Sequence, residues 1–181
     1  MRDRLKGLTE EDYWVYGITE SDFDHAVELV NDMIKARKEE YERKAREVRA
    51  SEPDMADDIL DDVAYYTYID NQYLWQFALW RLQGLLEAAI AYQLITTNGE
   101  TRLIGLKSKL EALKSNGYTI TQEEIDELLL WAKLRNALSH APPEQYRPAP
   151  LLEEDVLEYQ AFVKSLYLRW LSEKEMVRTK V

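Results

Sequence analysis

The sequence predicts an all-α protein: an antiparallel helical bundle preceded by a helical extension. Apolar residues recur at three- and four-residue spacing along most of the 181 residues. Only six Gly and five Pro interrupt them. No stretch alternates apolar and polar residues for long enough to mark a strand. With no Cys the fold cannot rest on disulfides, and a chain of this length can bury a sizeable core of its own. Residues 1–52 read as an N-terminal helical arm and residues 53–181 as the bundle.

In the arm, Ser21 or Asp22 is placed to cap a helix running to about residue 50, with Phe23, Val27, Val30 and Ile34 on one stripe. From Arg37 to Arg49 acids and bases alternate, the pattern of a solvated helix laced by ion pairs three and four residues apart. His25, among Asp22, Asp24 and Glu28, reads as a solvated surface residue. Ser51-Glu52-Pro53-Asp54 punctuates the chain and starts a long apolar helical region over 55–95, with a break expected near Asp70-Asn71. Its acidic opening, Asp54, Asp57, Asp58, Asp61 and Asp62, is stabilised by the helix dipole and lacks the His partners of a carboxylate metal site. No metal and no cofactor are therefore expected.

Tyr65, Tyr66, Tyr68, Tyr73, Trp75, Phe77 and Trp80 follow. With no basic residue interleaved before Arg81, these rings are expected in core or subunit contacts rather than stacked on bases. Charges recur too often here for a membrane span. Arg81 and Glu87 interrupt the otherwise apolar 79–95, and a buried charge needs a partner. Six residues apart, they do not face each other on one helix, so the partner of Glu87 is expected from another helix or subunit. Asn98-Gly99 turns the chain, a short helix over 103–114 closes at Asn116-Gly117, and Thr121-Gln122-Glu123-Glu124 opens the next helix as a capping box. After a proline-rich loop at 142–150, a helix over 153–173 carries Val156, Tyr159, Val163, Leu166 and Trp170 on one face.

The helix opened by Thr121 holds the candidate chemistry. Its stripe of Ile125, Leu128, Leu129 and Ala132, continued at the same spacing, reaches Asn136, Ser139 and His140, so the inward face is expected to turn polar. Beside it stands Arg135, a planar and permanently charged fork suited to a phosphodiester, while His140 can accept and donate protons near neutral pH. Asn136, one turn before His140, can orient the imidazole. A straight helix separates Arg135 from His140 by about 140°, so Arg135 must reach around or the helix must bend. Pro142 and Pro143 end the helix and leave His140 in the last turn, where the carbonyl end favours the imidazolium. The structural alternative is an Arg135 paired with an acidic neighbour and a His140 that caps the helix end.

Leu134-Arg135-Asn136-Ala137-Leu138-Ser139-His140 resembles the signature of the HEPN superfamily (higher eukaryotes and prokaryotes nucleotide-binding domain): an Arg, a polar residue, a short spacer and a His. The resemblance extends over the bundle from about residue 53 onward. It implies a metal-independent endoribonuclease acting on RNA such as tRNA or mRNA, and a homodimer that joins two motif helices at a shared cleft. It also implies a toxin of a toxin–antitoxin or phage-defence system, neutralised by a nucleotidyltransferase-like antitoxin. Arg135 and His140 would be catalytic with Asn136 and Ser139 assisting. Glu87, with Arg81 second, would be the acidic or polar residue of an early core helix that approaches them.

A net charge of −11, from 34 acids against 23 bases, is the wrong sign for coating nucleic acid. The enzyme reading therefore needs a local positive site, for which Arg102, Lys107, Lys109, Lys114, Lys133 and Arg147 are candidates beside Arg135. The alternative is a catalytically silent helical module for protein interaction or nucleotide binding. Arg2, Asp3, Arg4 and Lys6 precede no apolar block, so no secretory signal is read and a cytoplasmic protein is expected.

Overall fold

A computed structural model describes residues 18–98, 105–140 and 151–178. Among them are five α-helices, one short 3₁₀ turn and no strand, which places the protein in the all-α class. The expected turn at Gly99, the helix start at 103 and the proline-rich loop 142–150 lie outside the described residues.

The first helix, α1 (Glu20–Ser51), begins two to three residues earlier than the sequence predicts. Thr19 is its N-cap, and Asp22 acts from the third helical position rather than as the cap itself. The Asp22 carboxylate accepts the Thr19 backbone N–H at 2.7 Å and the Thr19 hydroxyl at 2.8 Å. Those two bonds, the backbone one foremost, hold its carboxyl below the usual range. The two halves of α1 then differ. Phe23, Ala26, Val27 and Val30 enter the core shared with the helices that follow, whereas the residues from Arg37 onward are mostly exposed.

After the 3₁₀ turn Pro53–Met55, α2 (Ala56–Asn98) runs unbroken for 43 residues. The break expected at Asp70-Asn71 is absent. Neither residue is Gly or Pro, and each weakens a helix by only some tenths of a kcal/mol. Arg37 of α1 engages the Asp70 carboxylate, and Leu74 and Trp75 bury the next turn. Further along, Leu79, Leu82, Leu86 and Ile90 are fully buried, making α2 the central helix.

The remaining helices pack around α2. The short α3 (Leu106–Ser115) ends in a Schellman motif: Gly117 N–H donates to the Lys114 carbonyl at 3.0 Å and Tyr118 N–H to the Leu113 carbonyl at 3.3 Å. That turn needs a positive φ, which Gly117 supplies at 91°. Helix α4 (Gln122–His140) opens on the expected capping box, with Thr121 N–H on the Glu124 carboxylate and Glu124 N–H on the Thr121 hydroxyl. Helix α5 (Glu153–Arg178) buries Val156, Tyr159, Val163, Leu166 and Trp170 against α1 and α2. Long side chains bridge α4 and α5: the Trp131 and Tyr159 rings lie 4.6 Å apart, and Arg169 holds Glu124 at 2.8 Å. None of the described helices is long and apolar enough to cross a membrane.

Candidate functional site

Glu87 lies nearly three turns beyond the midpoint of α2, at the place where α3 and α4 both reach the central helix. Its carboxylate accepts a hydrogen bond from Lys109 Nζ of α3 at 2.7 Å and faces the Arg135 guanidinium of α4 at 3.7 Å. The partners come from two other helices. All three side chains are only 20–33 % exposed, so the cluster is partly desolvated and its charges act on one another more strongly than surface charges do.

Arg135 reaches Glu87 because of how α4 meets α5. The buried stripe of α4 begins with Ile125 and Leu128 as expected, then continues through Trp131, Arg135 and Leu138, all partly buried. Asn136, Ser139 and His140 are exposed, which corrects the expectation that the inward stripe runs through them. Both continuations keep a three-and-four spacing. The packing of the Trp131 ring on Tyr159 selects the first. The Ser139 hydroxyl donates to the Arg135 backbone carbonyl at 2.8 Å and so is occupied within its own helix. Helix α4 is α-helical through to His140. Arg135 and His140 therefore diverge by the roughly 140° of a straight helix.

Around Arg135 an open groove is lined by Glu87, Lys107, Asp126, Leu130, Lys133 and Asn136. Three bases and two carboxylates line it, so its lining is net positive in an acidic protein; Lys109 bonds Glu87 beside it, and Lys107 also faces Glu111 at 3.8 Å. The buried Nε of Arg135 has no hydrogen-bond partner among the described residues. Arg102 and Arg147 lie outside the described residues, and Lys114 is exposed at the end of α3.

Behind the groove sits a polar layer within the apolar core. Tyr159 is 1 % exposed, and its hydroxyl has no partner of ordinary hydrogen-bond geometry, as is true of Gln83 Nε2. Burial first, and then the Glu87 charge, push the phenol far above its ordinary range, partly offset by Arg135 and by the approach of Gln83. Gln83 and Glu87 are one turn apart in the mostly apolar stretch 79–95 of α2. That pairing was the available signal for this layer, whereas nothing in the sequence separates Tyr159 from an apolar ring.

Arg81, the second candidate for the polar residue near the motif, is elsewhere. It is exposed and lines a groove between α1 and α2 with Asp22, His25 and Phe77. His25 is exposed as expected. Among the described residues no cluster of His, Asp or Glu could hold a metal ion.

Fold and site together define an all-α protein with a cationic groove built on a three-helix ion cluster. No protein-family model matches the chain, and no curated protein and no solved structure matches it.

Proposed function

We propose that the chain is a metal-independent endoribonuclease of the HEPN type. The observation that carries this reading is Arg135, a partly exposed guanidinium paired with Glu87 at 3.7 Å on the wall of a groove that Lys107 and Lys133 also line. Such a group suits the extra negative charge of a pentavalent phosphate, because its position is set before the substrate arrives. Lys107 and Lys133 supply the local positive potential that the net charge of the chain denies it.

In the reaction, the ribose 2′-oxygen attacks phosphorus as its proton passes to His140. The bond from phosphorus to the 5′-oxygen then breaks, and that oxygen takes a proton from His140 or water. The products are a 2′,3′-cyclic phosphate and a 5′-hydroxyl. Asn136 lines the groove and is exposed; in this reading it contacts the RNA. Since Arg135 and His140 leave α4 in different directions, the reading includes the homodimer that the resemblance implies, with residues of both chains around one phosphate. The toxin role and the nucleotidyltransferase-like antitoxin belong to the same proposal.

A second reading, a catalytically silent interaction module, is favoured by the exposed His140 turned away from Arg135. A cleavage assay on total RNA and tRNA in the presence of chelator separates the two. The enzyme reading expects cyclic-phosphate ends from the wild type and none from folded Arg135→Ala or His140→Ala. A folded wild type that cuts neither RNA favours the silent module.

A further inference from the structure

One face of α2 has no partner among the described residues. At about 100° per residue, Tyr73, Phe77, Trp80, Gly84, Ala88 and Ala91 fall within an arc of about 80°. They recur in three- and four-residue steps, the spacing of a coiled-coil seam. Tyr73 is 57 % and Phe77 54 % exposed, Gly84 is exposed, and Trp80, Ala88 and Ala91 are partly so. A Gly in the interior of a helix costs about 1 kcal/mol against Ala, and nothing among the described residues requires one here. A Cβ on Gly84 would meet no atom within 4 Å. Beside Phe77, the exposed Leu29 and Met33 of α1 widen the apolar patch.

We infer that this face binds a second copy of the chain, with α2 of one protomer antiparallel to α2 of the other. The seam residues sort by size along the helix: the rings Tyr73, Phe77 and Trp80 come first, and the small Gly84, Ala88 and Ala91 follow. A two-fold axis at the level of Leu82 sets Trp80 over Gly84 of the partner subunit, Phe77 beside the partner's Ala88 and Tyr73 over the partner's Ala91. Large meets small in both directions, as a self-complementary isologous contact requires. Parallel pairing would instead set ring on ring and leave small residues facing across a gap. The seam is about 27 Å long. A face of that length, widened by Leu29 and Met33, is of the order of the ~800 Å² per partner that standard interfaces bury.

Glu87 lies on the edge of the seam opposite α1. An antiparallel two-fold pair brings like edges together, so the two Glu87–Arg135 clusters come to one side of the dimer, about 15 Å apart along the helices. The inference deepens the dimer included in the proposed function. It stands on the α2 surface, and its readout is association rather than cleavage, so either can fail without the other.

Sedimentation velocity over the micromolar range tests it, with a dimer expected for the wild type. Gly84→Leu fills the space that the partner's Trp80 uses and should raise the dimer Kd about 30-fold or more. Circular dichroism should show that this variant is fully helical, since a Cβ there meets none of the described residues and Leu favours helix over Gly. The chain has no Cys, so pairing direction is also readable. Mild oxidation should link chains carrying Tyr73→Cys to chains carrying Ala91→Cys, while Tyr73→Cys alone stays unlinked. A wild type monomeric throughout, a dimer indifferent to Gly84→Leu, or self-linking of Tyr73→Cys would overturn the inference.

Discussion

Two sets of ion pairs in this molecule use the same side-chain chemistry to different ends. On the outer half of α1, Arg43 bonds Glu40 and Glu47 at 2.5 Å each, and all three side chains are more than half exposed. Where α2, α3 and α4 meet, Glu87 holds Lys109 and Arg135 with no side chain more than 33 % exposed. The first set is fixed by three- and four-residue spacing on one helix, and water and salt screen it. The second exists only once three helices have packed. A charge cluster that depends on the tertiary fold can hold a guanidinium in one place for a ligand, and one strung along a solvated helix cannot.

The largest effects should therefore come from the Glu87 cluster and the end of α4. On the ribonuclease reading, Arg135→Ala should lower the initial cleavage rate about 10²–10³-fold, the cost of losing one preorganised donor. His140→Ala should lower it about 10²–10⁴-fold, the span of proton-transfer catalysis. Arg43→Ala should leave the rate unchanged. Cleavage that survives both α4 substitutions, measured in chelator with folding checked by circular dichroism, would sink the reading.

Next in size is a stability effect. Glu87→Gln leaves Lys109 and Arg135 facing each other without their shared carboxylate, and urea unfolding should show a loss of about 1–3 kcal/mol. Adding Lys109→Met to it should recover part of that loss, since one of the two uncompensated cations is gone. Strict additivity of the two changes would show that the three groups do not act as a unit.

How far the sequence reveals these features follows the same division between local and tertiary. The Thr121–Glu124 capping box, the Asn116-Gly117 turn and the apolar face of α5 were legible because each is set by residues close in sequence. The break expected at Asp70 did not appear, because the Arg37 contact and the burial of Leu74 and Trp75 come from packing. At the candidate site, Glu87 stood out as a charge in an apolar run. The direction of α4 did not, since two stripes with the same spacing branch at Leu128 and only the Trp131–Tyr159 contact decides between them. Lys109 was one of several candidate bases with nothing local to mark it as the partner of Glu87, and Tyr159 read as one more apolar ring.

Tyr159 provides a probe of the cluster that needs no substrate. In the folded chain, burial and the nearby Glu87 keep its phenol protonated well past the ordinary value of 10.0. A raised folded-state value means that the contribution to stability is complete below pH 10 and declines as pH rises, because the unfolded chain releases the proton first. The slope is about 1.4 kcal/mol per pH unit for one such group. Tyr167, also raised by burial, adds to it. Tyr159→Phe should make the alkaline decline shallower and leave stability at pH 7 nearly unchanged, since it deletes a buried hydroxyl that has no partner of ordinary hydrogen-bond geometry among the described residues. An unchanged alkaline limb in denaturant titrations from pH 8 to 11 would show that the phenol is not shielded next to Glu87.

The smallest expected effect tests the other side of the comparison. Arg43→Ala removes both of the ion pairs with Glu40 and Glu47, yet the urea midpoint should stay within experimental scatter at low and at high salt. Hydrogen bonds to Glu40 and Glu47 raise the Arg43 pKa. A guanidinium is fully charged across the physiological range in the folded and unfolded chain alike, so that shift carries no stability there. Ala is also at least as good a helix former as Arg, which offsets the lost pairs. A clear loss would mean that the outer half of α1 is covered in the folded protein. Arg43 would then belong to a second contact surface, and its ion pairs would depend on tertiary structure as those of Glu87 do.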